Sequence, residues 1–204
     1  MSEALSFSAL YDQAPPDDLL ISISEVTDRG MIDLRGLTAD RKFMAAAKSA
    51  LGFDLPKTPR SSVSKGKIEC LWLSVDQWLI TCPRKDAGKL QEKLIKAMGD
   101  IHGLVTDLSD ARTIIRLEGE QVRQVLMKGS SVDFTDPAYA AGTVRRMLFA
   151  EIAAMAHIVS EDPETVDLYV FRSYARYTWA WLIATSGQGS QFGLPGNLTI
   201  PETV

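Results

Sequence analysis

The polar run Asp107-Leu108-Ser109-Asp110-Ala111-Arg112 is the stretch of this chain whose residue types come closest to a reactive constellation. A serine nucleophile needs a base within hydrogen-bonding reach. The chain has two histidines, His102 and His157, and neither stands in a context that brings it to Ser109. There is no Gly-x-Ser-x-Gly elbow either. The run therefore reads as a turn whose Asp and Ser side chains satisfy backbone groups between two strands. Gly119-Glu120 opens a helix as a phosphate-binding turn would, but the Gly-x-Gly-x-x-Gly spacing is missing and Glu120 would repel an anion. In Lys128-Gly129-Ser130-Ser131 the lysine precedes the glycine, which rules out a P-loop. With Cys70 and Cys82 as the only cysteines, no metal-ligand spacing occurs. No catalytic, cofactor-binding or metal-ligating residue is assigned.

Two further sets of residues could bind rather than react. Leu55–Lys67 reads as a long basic loop carrying Lys57, Arg60, Lys65 and Lys67, and loops of this length are functional or disordered. An anion or folate site is the sharper reading, and a solvated loop or one that docks on a partner is the plainer one. Trp72, Trp78, Trp179 and Trp181 could stack on a pterin, yet they occupy core-like strand and helix positions. Trp179 and Trp181 lie two apart on a helix and point in different directions, so one is nearer the surface and is a candidate anchor for a partner.

The elements that hold these residues follow from hydrophobic periodicity. Thr113–Glu118 alternates as a strand, with Thr113, Ile115 and Leu117 on one face and Ile114, Arg116 and Glu118 on the other. Gly119 breaks it, and Glu120–Lys128 places Val122, Val125 and Leu126 on one helical face, with Gly129 as a left-handed stop. Upstream, Met1–Asp18 is a polar arm outside any core, one that a partner could order. Leu19–Val26 and Met31–Gly36 are strands, and Thr38 caps a helix over Ala39–Leu51 that ends at Gly52. Ile68–Val75 and Gln77–Cys82 form a hairpin that makes Cys70 and Cys82 rough cross-strand neighbours, a reduced pair of buried small side chains being the plainer reading and a disulfide the alternative. Ala87–Met98 is a helix stopped by Gly99. Ser173 caps the last helix, and the glycine-rich tail from Gly187 lies outside the fold.

Composition bounds the rest. Hydrophobic content of 46% with 24% charged residues is that of a soluble globular protein. The net charge of −4 is spread without long runs and argues against nucleic-acid or anionic-membrane partners. The apolar run Met147–Val159 is interrupted and too short to span a bilayer, and no signal core opens the chain, so a cytoplasmic location is expected.

The second half repeats the first. Met31–Gly36 matches Ile114–Gly119, Phe53-Asp54-Leu55-Pro56 matches Phe134-Thr135-Asp136-Pro137, and Asp76–Ile80 matches Val166–Val170. Ala87–Met98 then corresponds to Tyr174–Ala184. The duplication requires two strands, Thr143–Phe149 and Ile152–Val159, where Ile152, Met155, Ala156 and Val159 also fit a helix. The expected fold is α+β: tandem ferredoxin-like units, antiparallel sheets packed by helices, at 19–100 and 101–186, with an arm at 1–18 and a tail at 187–204.

Asp-Leu-Ser, strand, Gly, helix, Lys-Gly, small residue, Asp over Asp107–Phe134, together with YARYTWAWL at Tyr174–Leu182, resembles the gamma subunit of heterotetrameric sarcosine oxidase. That family is distantly similar to the folate-binding part of the glycine-cleavage aminomethyltransferase. The family's Asp-x-Ser-His-Arg has Asp110 and Ala111 in place of His and Arg here, and its Lys-Gly-Cys is Lys128-Gly129-Ser130. The resemblance implies an accessory subunit of a complex that oxidatively demethylates sarcosine with oxygen and tetrahydrofolate. Alpha, beta and delta subunits would be its partners, and FAD, FMN, NAD and tetrahydrofolate would sit on them. Lys57, Arg60, Lys65, Lys67, Trp179 and Trp181 are the candidate partner-binding residues. Two alternatives remain: a stand-alone folate-binding protein of the aminomethyltransferase type, which would need a further C-terminal domain beyond Val204, and a free-standing assembly factor.

Overall fold

The structure, a computed structural model, describes residues 7–190. After a short strand β1 (Ser22–Glu25), the first unit runs β2 (Arg29–Arg35), α1 (Arg41–Leu51), β3 (Ser62–Lys65), β4 (Ile68–Ser74), β5 (Gln77–Pro83), a 3-10 turn (Arg84–Asp86), α2 (Ala87–Met98) and β6 (Leu104–Asp107). The second runs β7 (Arg112–Glu118), α3 (Val122–Gly129), β8 (Val144–Phe149), β9 (Ile152–Glu161), β10 (Glu164–Phe171), a 3-10 turn (Arg172–Tyr174) and α4 (Ala175–Ser186). Two five-stranded antiparallel sheets result, ordered β3-β4-β5-β2-β6 and β8-β9-β10-β7-β1. Setting aside the outer strands β3 and β8, each sheet has the ferredoxin-like strand order.

The duplication is carried by register as well as by element order. One row across the first sheet reads Val63, Cys70, Ile80, Ile32, Asp107, and its counterpart reads Arg145, Ala156, Leu168, Ile115, Glu25. This fixes Ile80 opposite Leu168 in the repeat, so the sequence match of Asp76–Ile80 to Val166–Val170 is two residues out. The last helix likewise begins at Ala175, one residue later than expected, in step with Ala87.

Sheet membership does not follow the cut at residue 100. β6 closes the first sheet in the ordinary way, but the strand that closes the second is β1, from the start of the chain. Backbone bonds beyond the strand ends come in matched pairs, extending each sheet at one edge and linking the two sheets at the other. Val26 N donates to Ile114 O (2.9 Å) as Leu108 N does to Met31 O (2.8 Å). At the other edge, Ser62 N donates to Gly142 O (2.9 Å) as Val144 N does to Arg60 O (2.8 Å).

The helices cover one face of each sheet. α1 and α2 enclose Phe43, Ala47, Leu90 and Leu94 with Ile32, Trp78 and Ile80, while α3 and α4 enclose Val125, Leu126, Trp179 and Leu182 with Ile115, Leu117 and Leu168. The opposite faces meet each other through Met31, Leu71, Leu79, Ile114, Met155 and Tyr169. Strands buried on both faces explain why β9 looks helical in sequence: Ala154, Ala156 and Ile158 go to the helix side, and Met155 and His157 go between the sheets. Its hairpin turn, Ala150-Glu151, has positive φ at both residues (47° and 68°), a primed turn without the usual Gly or Asn signal.

Several local expectations are corrected. Asp40, not Thr38, caps α1, its carboxylate accepting from Lys42 N (2.8 Å) and Phe43 N (3.3 Å), and an anion suits that helix end better than a hydroxyl does. Gly52 ends the helix in the left-handed region as expected (φ 83°). Gly129 is the last helical residue rather than a left-handed cap. An added Cβ there would meet Phe149 and Trp181 ring carbons at 2.8 Å, so packing requires the glycine. Ser173 lies inside the 3-10 turn before α4, and its side chain makes no cap bond. Ser62–Lys65, placed in a loop by the sequence, pairs with Ile68–Leu71 as β3, while Leu55 and Pro56 just before it are buried. Cys70 and Cys82 are free and buried, diagonal rather than opposite, since Cys70 faces Ile80.

The described part of the arm is also not outside the core. Leu10 is 3% exposed within the second unit's core, Arg172 donates to Phe7 O, and Arg176 Nη2 lies 2.8 Å from both Asp12 oxygens. Residues 1–6 and 191–204, with most of the expected tail, lie outside the described residues, although Gly187 bridges Leu19. Truncating a buried leucine costs its transfer free energy plus that of the cavity left behind, so Leu10→Ala is expected to lower stability by about 2–4 kcal/mol. Urea unfolding of the full chain tests this, and a loss under about 0.5 kcal/mol would return the arm to the surface.

Candidate functional site

Reactive side chains are concentrated between the sheets, on a face that sequence alternation had left polar. The row Ser62, Leu71, Leu79, Asp33 of the first sheet corresponds to Val144, His157, Asp167, Arg116 of the second. Arg116 grips Asp167 through two bonds, Nε to Oδ1 at 2.7 Å and Nη2 to Oδ2 at 2.9 Å, a planar pairing that satisfies both oxygens. The hydrogen bond and charge of Asp167 raise the Arg116 guanidinium pKa further. Asp33 accepts from Gln77 Nε2 (2.7 Å) and Arg35 Nε (3.0 Å).

The third group brings together a serine, a histidine and a glutamate that are scattered in sequence. His157 Nε2 lies 3.1 Å from Ser62 Oγ and 3.7 Å from Glu69 Oε1. In a hydrolase the carboxylate holds Nδ1 while Nε2 takes the serine proton. Here both partners approach Nε2, and Nδ1 is buried without one. Ser62 Oγ donates its own proton to Gly142 O (2.9 Å), so it accepts from the His157 N–H. In that arrangement the imidazole proton is on Nε2, the nitrogen a triad would use as the base. This trio joins the two sheets and lacks the carboxylate on Nδ1 that orients the imidazole of a triad.

Ser109 has the brace role its turn suggested. Its Oγ donates to Asp107 Oδ1 (2.5 Å), its N–H donates to the same oxygen (2.8 Å), and Met31 N donates to Oγ (2.9 Å). Asp110 pairs with Arg84 at 2.6 Å. Around them a cleft of about 200 Å³ opens at the strand ends, with Arg29, Arg84, Arg112 and Arg172 set against Glu25 and Asp28. Arg112 lies over the Phe171 ring at 4.6 Å, and Arg172 holds the arm, so these cations are largely engaged inside the chain.

The basic residues of the Leu55–Lys67 segment do not converge. Lys65 Nζ donates to Gly52 O (2.9 Å) just past the end of α1, Lys67 lines a shallow groove with Asp28 and Glu69, and Lys57 is exposed. Arg60, held at φ 63°, lines a second groove of about 350 Å³ with Trp72, Leu73, Val144, Arg145 and Arg146. Arg145 and Arg146 were missed because they come from the other half of the chain. Of the tryptophan pair, Trp179 is in the core and Trp181 is the half-buried one, edge-on to Phe149 with centroids 4.8 Å apart.

Burial lowers the His157 pKa, and Arg116 adds to this, against the opposing charges of Glu69 and Asp167. The folded state thus resists a proton that the unfolded chain accepts below about pH 6.5. Stability is expected to fall as pH drops from about 6.5 toward the lower folded pKa, by at most about 1.4 kcal/mol per pH unit. His157→Gln should flatten that dependence. Urea midpoints at about pH 7.5 and about pH 5.5 for both proteins measure it, and equal slopes would remove His157 as the cause.

Comparison with known proteins places this architecture. Residues 35–188, spanning both units, match the model of the sarcosine oxidase, gamma subunit family. Over 168 residues the chain is 27% identical to sarcosine oxidase subunit gamma of Corynebacterium sp. (strain P-1), covering 80% of this chain and 78% of that one. Among solved structures, it is similar to a chain of the heterotetrameric sarcosine oxidase from Corynebacterium sp. U-96, solved with pyrrole 2-carboxylate, with TM-score 0.82, 22% identity, and 94% and 100% coverage. It shares its fold with glycine cleavage system aminomethyltransferase T of Bartonella henselae (TM-score 0.61, 13% identity), covering 83% of this chain and 47% of that one.

Proposed function

The chain belongs to the sarcosine oxidase gamma subunit family, and on that premise we propose that it is the accessory gamma subunit of a heterotetrameric sarcosine oxidase. The family match across residues 35–188 carries this reading, since it takes in both units rather than one motif. Alpha, beta and delta subunits are its proposed partners. FAD, FMN, NAD and tetrahydrofolate are assigned to those partners, and the complex converts sarcosine, oxygen and tetrahydrofolate to glycine, hydrogen peroxide and methylene-tetrahydrofolate.

The state of the reactive groups supports a bracing role. Ser109 ties β2 to the turn before β7, and Ser62 with His157 ties one sheet to the other. The Cys70 and Cys82 thiols are both buried, and burial pushes their pKa values up, away from the thiolate a nucleophile requires. The contribution of such a chain lies in its shape and outer surface.

Two measurements test the proposal. The isolated chain, assayed with sarcosine with and without added flavin, is expected to show no oxidase turnover and no flavin absorbance. Co-expressed with companion subunits, it should co-elute with flavin-containing protein in size-exclusion chromatography. Turnover by the rigorously isolated chain, or elution apart from those subunits, would overturn the assignment.

A further inference from the structure

β8 is the outer strand of its sheet, and only its beginning is covered. There Ser61 bridges Thr143, and Val144 N donates to Arg60 O (2.8 Å). In an antiparallel pair, alternate residues turn both backbone groups away from their neighbour. The parity set by Val144 therefore points the N–H and C=O of Arg146 and Leu148 outward, past the end of the Ser61 bridge, where no described segment pairs with them. Leu148 is 69% exposed on this edge.

The groove of Arg60, Trp72, Leu73, Val144, Arg145 and Arg146 lies beside that edge. Its charged side chains are all arginines, in a chain whose net charge is −4. None of the three is ion-paired with a carboxylate among the described residues, and Arg145 Nε is buried without a hydrogen-bond partner. The Arg112 guanidinium pKa is lowered first by burial and then by the like charge of Arg146. The counterpart edge in the first unit, β3, reads Ser-Val-Ser-Lys, so the cationic character belongs to one edge of the pair.

An edge with unpaired backbone, an exposed leucine and an indole-floored notch, ringed by uncompensated guanidinium groups, is a template for an added strand carrying negative charge. We propose that Arg146–Phe149 receives an extended acidic segment of a companion subunit. Its backbone pairs with Arg146 and Leu148, its carboxylates meet Arg60, Arg145 and Arg146, and an apolar side chain lies against Trp72. This inference rests on the assembly proposed above and names the surface and the chemistry through which that assembly engages the chain.

The test uses the full chain co-expressed with its companion subunits, with hydrogen exchange compared between free and assembled protein. Amide exchange over residues 144–149 should slow at least about tenfold on assembly, as strand pairing requires. Leu148→Pro removes one outward donor that β9 does not use, and Arg145→Glu/Arg146→Glu reverses the charge. Each should weaken assembly by about tenfold or more. The wild-type association should also weaken with salt more steeply than that of the double variant. Urea midpoints confirm that both variants fold. Assembly with unchanged exchange at 144–149 and undiminished association of both variants would overturn the strand-addition site and leave the gamma-subunit reading intact. Failure of the wild type to assemble would instead overturn that underlying reading.

Discussion

Contact between the inner faces of the two sheets is the constraint on which the other features of the molecule depend. A sheet with helices on one face ordinarily turns the other to water, but here that face meets its pseudo-symmetric mate through Met31, Leu71, Leu79, Ile114, Met155 and Tyr169. Once both faces of a strand are buried, any polar side chain on the inner face must find a partner there or cost its full desolvation. Arg116 with Asp167 and Asp33 with Gln77 and Arg35 meet that requirement, and His157 meets it at Nε2 through Ser62 but not at Nδ1. Removing one partner from the Arg116–Asp167 fork would be more damaging than replacing both, because it strands a buried charge.

The same contact explains why the chain's two repeats are not two separable modules. β1, the first strand, completes the sheet that the rest of the second repeat leaves open, and the bonds Ser62 N to Gly142 O and Val144 N to Arg60 O join one sheet to the other. Leu10 and Asp12 extend that stitching to α4. Unfolding of either unit therefore exposes apolar area in both, and one cooperative transition is the physical consequence.

Much of this was legible in local pattern, and what was not has identifiable causes. The Ile68–Cys82 hairpin, α2 and the strand–helix step at Gly119 have clean periodicity, and the repeat disclosed β8 and β9 despite their helical look. Strand exchange was invisible because Ser22–Glu25 carries no mark of which sheet it joins. Alternation reports polarity and not burial, so it placed Arg116 on a face with Ile114 and Glu118 without disclosing its partner Asp167. Thr38 and Asp40 are both competent caps two residues apart, and only geometry decides between them. In the candidate site, the Asp107–Ser109 turn could be read because its bonds are local. The Arg60 groove could not, since Arg145 and Arg146 reach it from the other repeat.

Duplication with divergence gives those differences meaning. The two backbones keep the same strand order and matched inter-sheet bonds, which sets a baseline against which side chains can be compared position by position. Leu71 and Leu79 are apolar where His157 and Asp167 are polar, and that substitution places a carboxylate and an imidazole where the second unit meets Ser62 and Glu69 of the first. Inside the molecule, then, broken symmetry makes the two faces complementary rather than identical, which favours one pairing of unlike units over the association of like ones. At the outer edges the same logic runs outward. Val63 and Ser64 correspond to Arg145 and Arg146, so the two outer strands present a short polar edge in one repeat and a cationic edge in the other. Charges kept at a sheet edge suppress unwanted pairing with copies of the same chain, because like edges repel. They do not repel an acidic strand, and selectivity for an unlike partner follows from the same arginines.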